Sequence, residues 1–446
     1  MDLSIQNISM RTNCDLDQEM RFSVMASHPD FIEINDLLQP QFPEGVEEAL
    51  NATEREAETI NWSVNAVKDH AVNAIGLDDF GDNLIDQPLE LLTAIGDSIQ
   101  TFRPSGKVSF WNTLVTNASQ RLLLVDYIKR NPEIHEIEIK RPIIIAGQPR
   151  TGTTHLHNLI AADPSLRSLQ YWESLEPVPP RQEQGKKFSV DPRYQRTETN
   201  LAGLNYALPH FRRMHDMYAA HVHEEIQLMM PAFGSMLWET TLCDDRYRDW
   251  YIKTDQTPWY QWMKTVLKVC THIGGGERWI LKSPQHVEQF QPLLTTFPDA
   301  VFLCTHRDPV SVAQSLSTMI TYTARTSTKP EHLRDVGRYW VERSETMFRK
   351  GAEDRHILPP SQSMDVRFHE FMANDVAMVE RIYDFANQPF TSEVRNAMNA
   401  FMQEHPRGKY GRLTYDITQF GYETAERKEA LRFYIDQFKL REENPL

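Results

Sequence analysis

Residues 147–154 read Gly147-Gln-Pro-Arg150-Thr151-Gly152-Thr153-Thr154, a set of side chains suited to holding an anion. Glycines permit tight backbone geometry, so successive N–H groups can point inward. Hydroxyls at the start of a helix add donors where the helix dipole is positive. The spacing is the G-x-x-x-x-G of a nucleotide phosphate loop, but Thr153 stands where such a loop carries its lysine, and the positive charge sits inside the turn as Arg150. A kinase needs that lysine on its terminal phosphates, so the turn is better suited to a terminal phosphate-like group that is not being split from ATP. Further along, Lys282-Ser-Pro-Gln-His286 and His306-Arg307-Asp308-Pro309 each close a short apolar run, and Ser315 follows Arg307 by eight residues.

These groups need elements to carry them. Ile143, Ile144 and Ile145, closed by Gly147 and Pro149, leave no room for a helix and read as a buried parallel strand. Leu156, Leu159 and Ile160 have the period of the helix that follows. Runs ending in Lys282 and in His306 read as two more strands. In an open parallel sheet ligands bind at the carboxyl edge, and a helix starting near Asp308-Pro309 sets Ser315 about two turns along, on the Arg307 side.

Residues 1–138 carry helical patterns over 45–72, 89–102 and 109–130, with Asn61-Trp62 placed to seat the first helix on its neighbour. They form an all-helical extension without a catalytic constellation. Gly76-Leu-Asp-Asp-Phe-Gly-Asp82 reads as a solvated loop, since its order does not match an EF-hand. An α/β domain is expected over 139–415, with a helical substrate-pocket insertion near 178–276, and a last helix over 416–446. Within the domain, 163–171 reads as a strand running into Tyr171-Trp172-Glu173, and 363–370 as a further strand. The insertion interleaves aromatics and methionines with His210, His215 and His221-Val-His223-Glu224-Glu225. That last stretch suits a proton acceptor or a substrate-orienting pair better than a metal. Helices near 375–386 and 392–403 lead to a basic loop, His405-Pro-Arg407-Gly408-Lys409.

A net charge of −15 and a pI near 5.5 argue against nucleic acid or an anionic membrane surface as partner. Cys14, Cys243, Cys270 and Cys304 are scattered, which indicates neither a zinc site nor a disulfide framework. The amino terminus is polar and acidic, and no apolar stretch is long enough to span a bilayer. A cytoplasmic protein is expected, and a homo-oligomer is compatible with the sequence.

Pro149-Arg150-Thr151-Gly152-Thr153-Thr154, followed by Arg307 and Ser315, resembles the cofactor motifs of sulfotransferases that use 3′-phosphoadenosine 5′-phosphosulfate (PAPS). The helical lead-in is similar to that of Sulfotransferase-3-like bacterial and fungal enzymes. The resemblance implies an α/β fold with a P-loop-like central parallel β-sheet flanked by helices. It implies transfer of a sulfuryl group from PAPS to a hydroxyl or amine of a small-molecule acceptor, with 3′,5′-adenosine bisphosphate (PAP) as product and no metal. Arg150 and the backbone of Thr151, Gly152, Thr153 and Thr154 would hold the 5′-phosphosulfate, and Arg307 with Ser315 the 3′-phosphate. Lys282, in Lys-Ser-Pro, is similar to the lysine in the Lys-Asp-Pro of tyrosylprotein sulfotransferases. Glu173 falls near the place of their general base, with His223 and His286 as further choices; its alternative post is a helix N-terminus favoured by the dipole. Arg407, Gly408 and Lys409 resemble in composition a phosphate-closing Arg-Lys-Gly loop, against the alternative of a solvated basic turn. Two other readings are a P-loop kinase for a small metabolite, which would need Mg²⁺ and a free Asp308, and a non-catalytic nucleotide- or PAPS-binding protein.

Overall fold

In the computed structural model, which describes residues 31–406 and 408–443, the isoleucine run is the middle of a parallel sheet. Numbered along the chain, the strands are β1 (Phe31–Ile32), β2 (Ile143–Gly147), β3 (Leu166–Arg167), β4 (Arg278–Ser283), β5 (Val301–His306), β6 (Ser363–Arg367) and β7 (Arg412–Leu413). The sheet runs β3-β4-β2-β5-β6 with every neighbour parallel, while β1 and β7 pair apart from it.

Side chains alternate across a strand, and β2 needs apolar residues on both faces. Ile143 and Ile145 pack with Leu156, Leu159 and Ile160 of the helix after the loop (Thr153–Ala161) and with Val379 and Ile382 of helix Asp375–Ala386. Ile144 and Ala146 pack with Met263, Val266 and Leu267 of helix Thr257–Gly274 and with Leu123, Leu124 and Val125 of helix Pro104–Arg130. Covered faces explain why the strand reads as a continuous apolar run rather than an alternating one. The lead-in helix thus shares an apolar cluster with the sheet.

Register brings the chemistry to one edge. Ile145 pairs with Lys282 of β4 on one side and Leu303 of β5 on the other, and Gly147 pairs with Thr305. The strands therefore end nearly level, and their exits carry Lys282, the glycine-rich turn and Arg307. Gly147 is dictated by closeness: a Cβ there would lie 1.7 Å from Thr305 Oγ1.

Three expected elements differ. The helix expected over 45–72 is three, Val46–Asn51, Glu54–Thr59 and Val64–Ile75. Thr53 Oγ1 donates back to the Leu50 carbonyl at 2.8 Å, and Ser63 starts the third helix by accepting from the Ala66 N–H at 3.2 Å. Trp62 in that break does seat on a neighbour, for a Cβ on Gly96 would come within 2.2 Å of its ring. The strand after Asp163 is only two residues long, because Gln170 and Glu173 start helix Tyr171–Leu175 with a capping box. The last helix divides into Thr424–Ala430 and Arg432–Phe438 at Leu431, whose buried side chain packs with Phe348 and Tyr434.

Candidate active site

The turn after β2 is built by strain and by hydrogen bonds. Gly152 (φ 87) caps the helix Thr153–Ala161, and a Cβ on it would meet the Phe368 ring at 2.9 Å. Arg150 adopts φ 70 without being glycine, a conformation costing about 1–2 kcal/mol unless its surroundings impose it. They do. Its guanidinium donates to Ser315 Oγ at 2.8 Å and to the Met214 carbonyl at 2.6 Å, while its own carbonyl accepts from Arg307 Nη1 at 2.8 Å. Thr151 Oγ1 donates to the Gln148 carbonyl at 2.7 Å and lies 2.7 Å from Thr305 Oγ1.

The glycine-rich turn and the Arg307–Ser315 pair thus converge at the carboxyl ends of β2 and β5. The expected helix after Arg307 is there, Pro309–Ala324, with Asp308 as N-cap accepting from the Val310 N–H at 2.9 Å. Arg307 stacks over Phe368 at 4.3 Å and holds both carboxylate oxygens of Glu443, at 2.7 and 2.6 Å. The bidentate fork is the geometry a guanidinium also offers to phosphate. Glu443 donates its own N–H to Asp308 Oδ2 at 2.6 Å.

On the other side of β2, Lys282 is buried with its ammonium against the Glu224 carboxylate. Its N–H, lying beyond the end of β3, donates to Glu225 Oε2 at 2.8 Å. Left unpaired in this enclosed place, that N–H would cost about 1–3 kcal/mol. Glu225 Oε1 lies 2.6 Å from His286 Nε2, and His286 Nδ1 lies 2.8 Å from Tyr260 Oη. The segment expected to carry a proton acceptor, His221 to Glu225, therefore meets Lys282 directly.

Beside Arg150 opens a cleft of about 300 Å³. Arg150, Thr154, His155 and Asn158 line it from the phosphate-loop side and His215 and His221 from the insertion, with Gly408 and Lys409 at its rim. Arg407 lies outside the described residues. His215, His221 and His223 cluster, with ring centroids 5.3 Å apart for the first two and 6.2 Å for the last two. Burial, with Lys282 adding to it, lowers the His221 imidazole to about 3, and burial likewise holds His215 and His223 well below the ordinary histidine range. All three are neutral at pH 7. The buried Nδ1 atoms of His221 and His223 have no hydrogen-bond partner.

Two expected site residues stand elsewhere. Glu173 pairs with Arg167 and its Oε2 accepts from the Gln170 N–H at 3.5 Å. A Cβ on Gly274, just ahead of β4, would lie 3.7 Å from its Oε1. Glu173 thus sits by the amino end of β4, whereas Lys282 is near the carboxyl end. The carboxylate took the alternative post at a helix N-terminus, and burial raises its proton affinity against the pull of Arg167. His286 is fully enclosed between Tyr260 and Glu225, so no acceptor can reach it. His223 is half-buried beside His221, with its ring 4.6 Å from that of Tyr171.

Glu224 and Glu225 were visible in the sequence only as part of a titratable stretch. Nothing local couples them to Lys282, 58 and 57 residues away. Tyr260 and Glu443 had no signal at all. Among the described residues, no group of three or more His, Cys, Asp or Glu side chains could hold a metal ion.

The profile of the Sulfotransferase family (Sulfotransfer_3) matches residues 142–392. The chain is similar in fold to sulfotransferase STF9 from Mycobacterium avium, with a TM-score of 0.77 and 24% identity over 86% of this chain and 99% of that one. It is similar also to sulfotransferase STF1 from Mycobacterium tuberculosis H37Rv, with a TM-score of 0.71 and 25% identity over 82% of this chain and 98% of the other. No curated protein matches the chain.

Proposed function

The chain belongs to the sulfotransferase family, and from that premise we propose that it moves the sulfuryl group of PAPS to a hydroxyl or amine of a small-molecule acceptor. The observation that carries this reading is the single cluster of Arg150, Ser315 and Arg307 at the sheet edge, with Lys282 one strand away. The donor set fits the ligand: a glycine-rich turn opens a helix, and two guanidiniums lie beside it. One of them already grips a carboxylate bidentately.

Sulfuryl transfer is in-line and resembles loose phosphoryl transfer, so catalysis consists of positioning and of stabilising charge on the oxygens. In this reading Arg150 and the N–H groups of Thr151, Gly152, Thr153 and Thr154 hold the 5′-phosphosulfate. Arg307 and Ser315 hold the 3′-phosphate, and Gly408 and Lys409 close over that side. The Lys282 ammonium leaves Glu224 for the oxygens of the transferring sulfuryl group. His221 takes the acceptor's proton: it lines the cleft and it is neutral.

The kinase alternative finds no support. Asp308, the strand-end aspartate it would give to a metal, is committed to the helix N-terminus and to the Glu443 N–H. A pure binder differs from an enzyme in having no turnover to lose. With PAPS and a panel of hydroxyl and amine acceptors, His221→Gln is expected to lower kcat about 10²-fold while leaving PAP affinity intact. If Glu224→Gln has that effect and His221→Gln does not, the proton acceptor is Glu224. We place the reaction in the cytoplasm, where thiols such as the unpaired Cys243, Cys270 and Cys304 stay reduced. No described helix is long and apolar enough to cross a membrane.

A further inference from the structure

Three enclosed groups in the floor of the site take no part in the steps above. Glu225, His286 and Tyr260 are each wholly buried, yet they form one line behind Lys282. His286 Nδ1 lies 2.8 Å from Tyr260 Oη, and its Nε2 lies 2.6 Å from Glu225 Oε1. Glu225 Oε2 in turn accepts the Lys282 N–H at 2.8 Å. The preceding residue, Glu224, takes the Lys282 ammonium. A Glu-Glu dipeptide thus grips the backbone and the side-chain end of the same lysine.

An apolar filling of the same volume would pack this floor at least as stably, because buried charge and buried polar groups carry a desolvation cost. What the line of hydrogen bonds adds is direction. We propose that Glu225, His286 and Tyr260 are positioning residues that fix the end of β4 and thereby aim the Lys282 ammonium at the sulfuryl group. The proposal rests on the PAPS reading given above. None of the three touches the substrate.

PAPS and PAP differ only in the sulfuryl group, so the ratio of their dissociation constants reads the contacts made to that group, and a change of ratio in Lys282→Ala measures the share of Lys282. Calorimetric titrations with both nucleotides need no acceptor. Lys282→Ala sets the scale and is expected to weaken PAPS relative to PAP by about tenfold, the size of one charge-assisted hydrogen bond. His286→Leu is expected to shift the ratio as far with PAP affinity unchanged, and His286→Gln, whose side-chain N–H can still reach Glu225, to restore it to within about threefold. Tyr260→Phe keeps the ring and removes only the hydroxyl, so it serves where His286→Leu does not fold; a smaller shift of the same sign is expected. An unchanged ratio in these variants overturns the proposal. So does a parallel loss of both affinities with a lowered melting temperature, which is what a merely structural role produces. An unchanged ratio in Lys282→Ala removes the role of Lys282 and the relay with it, and absence of PAP binding by the wild type overturns the donor assignment itself.

Discussion

Lys282 carries its charge near the end of a buried strand, where it pairs with Glu224. A donor preorganised in such a place is worth on the order of 3 kcal/mol to a transition state. Lys282→Ala is therefore expected to lower kcat by about 10²–10³ while PAP affinity stays within about twofold, measured by initial rates and by calorimetry. The histidine cluster makes a separate prediction. His221 in the folded protein protonates only near pH 3, but in the unfolded chain near pH 6.5. Between those values the unfolded state binds the extra proton, so stability falls as pH falls from about 6.5 toward about 3. Urea unfolding of His221→Gln is expected to show a shallower loss over that window than the wild type. At this scale the sequence disclosed what is local. Arg150 and Arg307 stand in turns and Ser315 in the helix Pro309–Ala324 that follows, and their spacing is itself the signal. Glu173 misled because a helix-capping carboxylate and a general base can carry the same local pattern, and only the sheet's direction separates them.

Gly147 is the element-scale test, since it lets β5 approach β2 at the mouth of the glycine-rich turn. Gly147→Ala would set a methyl 1.7 Å from Thr305 Oγ1 and 3.0 Å from Thr153 Cγ2. It is expected to cost about 1–3 kcal/mol in urea unfolding. Pairing it with Thr305→Ala should recover part of that loss, as neighbours in contact do not add; full additivity would place the strain elsewhere. Strands β2, β4 and β5 were legible because each is a short apolar run ended by polar or glycine residues, and β6 because Met364 and Val366 alternate with polar neighbours. Helix breaks were not. Thr53 and Ser63 interrupt an apolar period that continues past them, and a side chain that bonds its own backbone leaves no mark on periodicity. The two-residue β3 was hidden for a related reason, its continuation being taken by a capping box.

The whole molecule is strongly acidic, yet it gathers Arg150 and Arg307 at one edge of its sheet. The chain's own Glu443 already lies on Arg307 and shares the pair's partial exposure, 22% and 30%. Any anion that takes this place must displace it. Because partly exposed ion pairs are weak, Glu443→Gln is expected to raise PAP affinity only about twofold to fivefold, and less at high salt; a loss of affinity would mean that the tail supports the site instead. The coming together of residues 150, 224, 282, 307 and 443 depends on strand order and register, which no local pattern encodes. The central claim is that this edge binds a 3′-phosphorylated adenosine nucleotide without a metal. Calorimetric titration of PAP, with and without Mg²⁺, on wild type and Arg307→Ala tests it most directly. The expected result is binding indifferent to Mg²⁺ and weakened about tenfold to a hundredfold in the variant, the range for a lost charge-assisted hydrogen bond. Failure to bind PAP, together with ATP binding that requires Mg²⁺, would contradict it.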